Sequence, residues 1–135
     1  MNYPAFIAAI LLAAPAVAQD APTLSVELNG TETLAGACRL TFVVANGAEA
    51  AQDSAVFETV LFTTDGTVDR LTLFDFGSLP SKRSRVRQFD VDGLACEDLG
   101  QVLFNGAARC DGAMDTAACE AGLIPSSRTE IEVVG

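Results

Sequence analysis

Short segments of alternating apolar and polar residues recur about every ten residues from Leu24 to the end of the chain, and turn residues separate them. The segment that begins at Cys38 ends at Asn46-Gly47, and Asp65-Gly66 separates two further segments as in a β-hairpin. Strand side chains alternate between two faces, whereas helical side chains repeat every 3.6 residues, so this pattern predicts strands. We predict an all-β chain of about seven strands that forms an antiparallel sandwich or a small barrel.

The third of these segments is apolar on both faces. Phe57 and Leu61 lie on one face, and Val60 and Phe62 lie on the other. A strand of this kind is expected in the middle of a sheet. We expect Phe57 and Phe62, together with Phe42 of the preceding segment, to supply the central packing.

The first 18 residues are typical of a secretory signal peptide. An uncharged apolar run, Ala5–Ala14, precedes the small-residue pattern Ala16-Val17-Ala18, which predicts cleavage before Gln19. A membrane anchor is the alternative, but the run is shorter than the about 20 apolar residues that a spanning helix needs. We therefore predict a signal peptide at residues 1–18, a single domain at residues 19–135 and a periplasmic or secreted location.

Four cysteines remain after cleavage, namely Cys38, Cys96, Cys110 and Cys119. An even number in an exported chain predicts two disulfide bonds, although four cysteines allow three pairings. A four-thiolate zinc site is the alternative, and it is disfavoured because such sites use two closely spaced pairs. Cys38 shares the apolar face of its strand and Cys96 precedes a late strand, so we favour a Cys38–Cys96 bond across the core. Cys110–Cys119 would then close a loop that holds either a short helix or no regular structure.

The composition excludes several kinds of active site. The chain contains no histidine, so neither a Ser-His-Asp or Cys-His arrangement nor a histidine metal site can form. Its net charge of −10 disfavours nucleic acid and anionic membranes as partners. We predict no catalytic residues, no cofactor, no metal site, no nucleic-acid partner and no membrane insertion after cleavage.

Four basic residues lie close together at Lys82, Arg83, Arg85 and Arg87. If Arg85 and Arg87 begin a strand, they lie on one face of it. One interpretation is a solvated hairpin whose charges discourage pairing with other sheets. The other is a docking site for an acidic protein or an anionic envelope component such as a glycan.

The stretch DVDGLACED brings together four carboxylates, those of Asp90, Asp92, Glu97 and Asp98. Alternating carboxylates followed by glycine occur in calcium loops, but the spacing of an EF-hand is not met. We favour ordinary turn chemistry before a strand, with calcium binding as the alternative.

Some of these segments occur in an order that resembles a known kind of domain. They are the strand with an inward Cys38 that ends at Asn46-Gly47, the run VLFTTDGTV, the pair Leu79-Pro80 and the strand that carries RQF. The chain is similar to small exported immunoglobulin-like domains of the FxLYD kind in bacteria, and to uncharacterised alphaproteobacterial exported proteins labelled by a predicted twin-arginine signal.

The chain departs from these domains in two ways. It has no twin arginine near Met1, which favours Sec-type export, and its mature part lacks the buried tryptophan and the corner tyrosine of antibody domains. The resemblance implies an immunoglobulin-like sandwich without enzymatic activity, and it implies no ligand.

These observations together predict a non-enzymatic exported module that binds a protein or an envelope component. The basic hairpin and the acidic loop between Cys110 and Cys119 are the expected surfaces. A secreted enzyme or enzyme inhibitor that acts through a loop is one alternative. A structural subunit that assembles through sheet edges is another.

Overall fold

The computed structural model describes residues 1–2, 4, 9–16 and 20–135. The predicted cleavage point between Ala18 and Gln19 lies outside these residues. Within the described ranges, no helix is long and apolar enough to cross a membrane.

In the described residues the chain forms eight strands, one more than expected. The additional strand, β7, contains Pro125, which is typical of a loop; here it lies in an edge strand, where a missing N–H is tolerated. The strands are β1 (Leu24–Leu34), β2 (Ala37–Asn46), β3 (Gln52–Thr63), β4 (Val68–Asp75), β5 (Ser84–Asp92), β6 (Leu99–Gly112), β7 (Leu123–Ser127) and β8 (Glu132–Val134). A 3-10 turn, Cys96–Asp98, precedes β6, and the helix α1 (Thr116–Gly122) follows it.

Two Asn-Gly pairs, which are typical turn residues, do not end their strands. β1 continues through Asn29-Gly30, and β6 continues through Asn105-Gly106. The register with the neighbouring strand shifts at both points, so a β-bulge accommodates the glycine inside the strand. The hairpin at Asp65-Gly66 is confirmed: Gly66 has a φ of +85° and donates its N–H to the main-chain oxygen of Thr63 at 3.0 Å.

The strands form two sheets that pack face to face as a sandwich. The first sheet has the order β5-β2-β1-β7, and the second has the order β4-β3-β6-β8. With β5-β2-β1 opposite β4-β3-β6, the strands follow the order E-B-A and C′-C-F of an immunoglobulin sandwich, which confirms the predicted fold. The sheets are mixed, however, and not wholly antiparallel. β7 enters the first sheet parallel to β1, and β8 then returns to the second sheet parallel to β6.

Six phenylalanines occupy the space between the sheets. Phe42 and Phe57 are fully buried, as predicted, but Phe62 lies half-buried on the outer side of β3 because Leu61 takes the inward position. The rings of Phe74 and Phe89 stack with their centroids 4.2 Å apart, which joins the edge strands β4 and β5 on one side of the sandwich. The cluster consists of Phe42, Phe57, Phe74, Phe76, Phe89 and Phe104.

Two disulfide bonds hold the chain together. Cys38 of β2 is bonded to Cys96 beside β6, with Cα atoms 4.9 Å apart, so this bond links the two sheets. Cys110 is bonded to Cys119, with Cα atoms 6.6 Å apart. Both predicted pairings are confirmed, and the zinc alternative is wrong because all four sulfurs are used. Of the two alternatives for the second loop, the structure has the short helix: α1 begins inside the loop and ends at Gly122, and its N-cap Asp115 accepts a main-chain N–H.

Candidate functional site: the outer face of the second sheet

The four basic residues predicted as a docking site do not act alike. Lys82 lies between β4 and β5 with a φ of +58°. Its Nζ donates to the main-chain oxygen of Gly47 at 2.7 Å and lies 3.2 Å from Oε1 of Glu49. The ammonium group is therefore bonded to the loop between β2 and β3.

Arg85 and Arg87 lie on one face of β5, as predicted, but this is the inward face. Arg87 pairs with Phe42 across the sheet, and its Nε donates to the main-chain oxygen of Phe76 at 2.7 Å. Its Nη2 donates to the main-chain oxygen of Ser78 at 2.9 Å. Arg87 thus bonds the edge of the first sheet to the chain that leaves β4.

Two of the four cations remain as candidates for an intermolecular contact. Arg83 is exposed, and Arg85 is half-buried with Nη1 donating to the neighbouring main-chain oxygen of Ser84 at 3.0 Å. A docking site for an acidic partner would therefore depend on Arg83 and Arg85 more than on Lys82 or Arg87.

The carboxylates that suggested calcium binding are already engaged in part. Asp90 accepts two hydrogen bonds from Arg39, at 2.8 and 3.1 Å. These hydrogen bonds, and secondarily the charge of Arg39, hold the pKa of Asp90 below its ordinary value. In the part of the chain that the structure describes, no group of three or more acidic, cysteine or histidine side chains is placed to hold a metal.

The acidic loop between Cys110 and Cys119 also has a carboxylate that is hydrogen-bonded to neighbouring strands. Asp111 accepts hydrogen bonds from Arg109 Nε at 2.8 Å and from the hydroxyl of Ser54 at 2.9 Å. Those two bonds, Arg109 first, lower the pKa of Asp111. Its carboxylate is therefore used to join the end of β6 to β3.

A cleft of about 840 Å³ lies at one end of the sandwich, between residues 20–23 and the loop 47–50. Lys82 and Glu49 line it, and they are paired with each other. The cleft thus presents an ion pair to solvent and not an acid and a base directed at a bound molecule.

The outer face of the first sheet is mixed: it carries the apolar pair Val43–Val86 and the exposed Ile124, and polar side chains bond across its strands. Gln88 of β5 donates to the hydroxyl of Thr41 on β2 at 3.0 Å. Arg39 and Asp90 form the two-bond pair on the same two strands. This face has the chemistry of a sheet surface that meets water.

The outer face of the second sheet is different, because a row of apolar residues crosses all four of its strands. Val60 of β3 lies opposite Leu71 of β4 on one side and opposite Leu103 of β6 on the other. Leu103 in turn lies opposite Val134 of β8. Within the described residues the row is unequally exposed: Val60 is buried, Leu103 and Val134 are half-buried, and Leu71 at the edge is more than half exposed.

The apolar row joins an apolar column along β4. Val68, Leu71 and Leu73 are 54%, 57% and 58% exposed. Leu73 lies opposite Glu58 and Val68 lies opposite Phe62, so the column borders the row on the same face of the sheet. We refer to the row and the column together as the apolar face.

The charged groups around the apolar face are mainly acidic. Arg70 is bonded to Asp69 at 2.6 Å, and Arg109 is bonded to Asp111 at 2.8 Å. Each guanidinium group is thus neutralised by its own neighbour. The remaining charges on this side, those of Glu58, Asp75 and Glu132, are negative.

The sequence prediction did not identify the apolar face, although its signal is present. β3 was expected to be central because both of its faces are apolar, and it is central. The expectation assumed that both faces would be covered. The informative signal is in the neighbouring segment: Leu71 and Leu73 occupy alternate positions and lie on the same side of the sheet as Val60. They extend the outer apolar side of β3 to the edge of the sheet.

Comparison of the chain with protein-family models, with curated proteins and with solved structures gave no match.

Proposed function

We propose that this chain is a non-enzymatic, exported binding module that contacts another protein, or a protein component of the cell envelope, through the apolar face of its second sheet. The resemblance to exported immunoglobulin-like domains of the FxLYD kind agrees with a module of this type. The mature domain begins at Gln19 and acts in the periplasm or outside the cell.

The exposure of the apolar face is the observation that carries the proposal. Soluble monomers seldom expose contiguous apolar surface of this kind unless it has a partner. Leu71 and Leu73 are each more than half exposed, and they adjoin a row that passes through the buried Val60 to Leu103 and Val134, which are half-buried. On the outer face of the first sheet, polar cross-strand pairs flank the apolar pair Val43–Val86, so the apolar surface is more extensive on the second sheet.

Two observations support export. The N-terminal residues have the pattern of a signal peptide. All four cysteines are bonded in disulfides, which persist in oxidising compartments such as the periplasm and the extracellular space.

A second candidate function is docking of an acidic protein or an anionic glycan through the basic hairpin. The exposure of Arg83 and the absence of a bonded carboxylate at Arg85 among the described contacts favour it. This candidate uses the connection between β4 and β5, beside the edge of the first sheet. It makes a different prediction, since its affinity should fall steeply with salt.

Site-specific photo-crosslinking in the native host tests both candidates. A photoreactive residue is placed at position 73 on the apolar face, at position 83 on the basic hairpin, or at position 88 on the polar outer face of the first sheet. We expect a discrete protein adduct from position 73 and none above background from position 88. Circular dichroism and a free-thiol assay check that each variant is folded and oxidised.

Three other crosslinking outcomes would contradict the apolar face as the binding surface for another protein. An adduct from position 83 alone would favour the basic hairpin. Equal adducts from positions 73 and 88 would indicate contact without a specific surface. An adduct whose mass is twice that of the chain would indicate a structural subunit that assembles with itself.

A further inference from the structure

We infer that the open edge of β4 accepts an additional β-strand from a partner protein, and that this strand carries alternating apolar residues between cationic ends. The inference deepens the proposed function, on which it depends, by stating how the partner binds and what chemistry it has. In such binding the main-chain hydrogen bonds supply affinity and the alternate side chains supply specificity.

The four edges of the sandwich differ in their protection against strand pairing. The edge strand β5 carries two inward-facing cations, Arg85 and Arg87, and β7 contains Pro125. β8 is only three residues long. Inward charges, proline and short length are the devices by which proteins prevent an edge from pairing.

The fourth edge, β4, is open over most of its length. It has eight residues and no proline. Its register with β3 is irregular only at Asp69 and is continuous from Arg70 to Asp75. Six residues of extended chain span about 20 Å, which is the length of an ordinary paired strand.

The side chains along this edge determine which residues an added strand needs at the opposite positions. Leu71 and Leu73 point to the outer face and are more than half exposed. Asp75 lies at one end of the stretch, and Asp69, which is paired with Arg70 at 2.6 Å, lies at the other. Residues directly opposite each other on neighbouring strands have Cβ atoms about 5 Å apart, so apolar pairs and opposite charges stabilise the pairing. The complementary strand therefore has two apolar residues at alternate positions and a lysine or arginine at each end.

A second copy of this chain does not meet that requirement. In an antiparallel pair of two β4 strands related by a two-fold axis, Leu71 lies opposite Leu73 of the copy. The same register places Asp69 opposite Asp75 of the copy, at both ends of the pair. Each chain carries a net charge of −10, and like charges directly opposite each other are destabilising. The partner is accordingly a different protein with a cationic edge strand or an extended cationic segment.

Two synthetic peptides test the inference on the mature, oxidised chain. The first is Lys-Thr-Val-Thr-Val-Thr-Lys, and the second has glutamate in place of both lysines. We expect the first peptide to bind at least tenfold more tightly in an NMR titration at low salt. Hydrogen exchange should slow at the alternate main-chain amides of residues 70–75 that point away from β3, and it should remain unchanged in β5.

Leu73→Lys and Val86→Lys form a matched pair of variants, because both residues are 58% exposed on the outer faces of edge strands. We expect Leu73→Lys to weaken binding of the lysine peptide at least tenfold and Val86→Lys to leave it within twofold. Asp75→Asn should reduce the preference for lysine over glutamate. Circular dichroism checks that the variants are folded.

Three results would overturn the inference. They are equal binding of the two peptides, equal binding by the two lysine variants, and protection in β5 instead of β4. Protection of β4 in the absence of peptide, together with a dimer in sizing, would identify a second copy as the occupant and refute a cationic partner. Adducts from position 73 without strand protection would retain the proposed function and reject strand addition.

Discussion

Arg87 donates from Nε to the main-chain oxygen of Phe76 at 2.7 Å, so that an edge strand of one sheet is bonded to the chain that leaves the other. The stacked rings of Phe74 and Phe89 lie on the same side of the sandwich. A guanidinium group and an aromatic pair thus link the two sheets beside the edge strands β4 and β5, while the outward main-chain groups of β4 have no strand beside them among the described residues.

Replacement of Arg87 by serine should therefore destabilise the fold. Two main-chain oxygens, those of Phe76 and Ser78, lose their charged donor, and hydrogen bonds of this kind contribute about 1–3 kcal/mol together. Arg83→Ser is the matched control, because Arg83 is exposed, and it should change the free energy of unfolding by less than about 0.5 kcal/mol. Urea denaturation of both variants measures the difference. Equal stability of the two would contradict a structural role for Arg87.

The two disulfide bonds should contribute unequally to stability. The Cys38–Cys96 bond spans 58 residues and the Cys110–Cys119 bond spans nine. On the chain-entropy estimate, removal of the first bond by a double alanine substitution costs about 4 kcal/mol and removal of the second about 2.6 kcal/mol. Urea denaturation of the two double variants compares them, and a larger loss for the shorter loop would show that constraint of the unfolded chain is not the dominant effect.

Gln52 should be the polar residue whose loss is most damaging. It is fully buried, and its Nε2 donates to the main-chain oxygens of Ser54 at 2.9 Å and Met114 at 2.7 Å. Its Oε1 accepts the N–H of Met114 at 2.8 Å. Gln52→Met keeps the side-chain length and removes all three bonds, so we expect a loss of about 2–4 kcal/mol and faster hydrogen exchange at Met114. Gln101→Met on the outer face should change the stability by less than about 0.5 kcal/mol.

Asp90 should titrate below an ordinary aspartate because it accepts two hydrogen bonds from Arg39. A lowered pKa stabilises the folded state above the pKa of the unfolded chain, and this stabilisation is lost as the pH falls through the folded pKa. Arg39→Gln should raise the pKa of Asp90 toward that of an ordinary aspartate. The variant should be less stable than the wild type at neutral pH, and the difference should shrink below roughly pH 4. NMR titration of the carboxyl group and urea denaturation at both pH values check this, and an unchanged pKa in Arg39→Gln would refute it.

Most of the strands could be predicted because their signal is local. The alternation in β2 and the two apolar faces of β3 follow from the two-residue repeat of an extended chain. Near the end of the chain, Ile131 and Val133 alternate with Glu130 and Glu132, and the two apolar residues are buried. The disulfide pairing could be predicted for a similar reason, since Cys38 shares the inward face of a strand and Cys110 and Cys119 are close along the chain.

The misplaced elements are those in which a neighbouring strand overrides a local signal. Asn29-Gly30 and Asn105-Gly106 favour turns, yet both lie at bulges because the adjacent strand continues past them. Pro125 argues against a strand, yet β7 pairs with β1 at an edge where the missing N–H is not needed. These outcomes depend on which strand lies alongside, and the local sequence does not contain that information.

The sequence by itself determined the all-β character, the central position of β3, the two covalent pairings and the absence of histidine chemistry. All of these depend on residue type and on the spacing of residues along the chain. Only the tertiary structure decided that Arg87 is bonded within the fold, that Leu71, Val60, Leu103 and Val134 form one row, and that β4 is the open edge. Those properties arise where strands distant in sequence become neighbours, because the environment of a side chain is then set by the strands beside it.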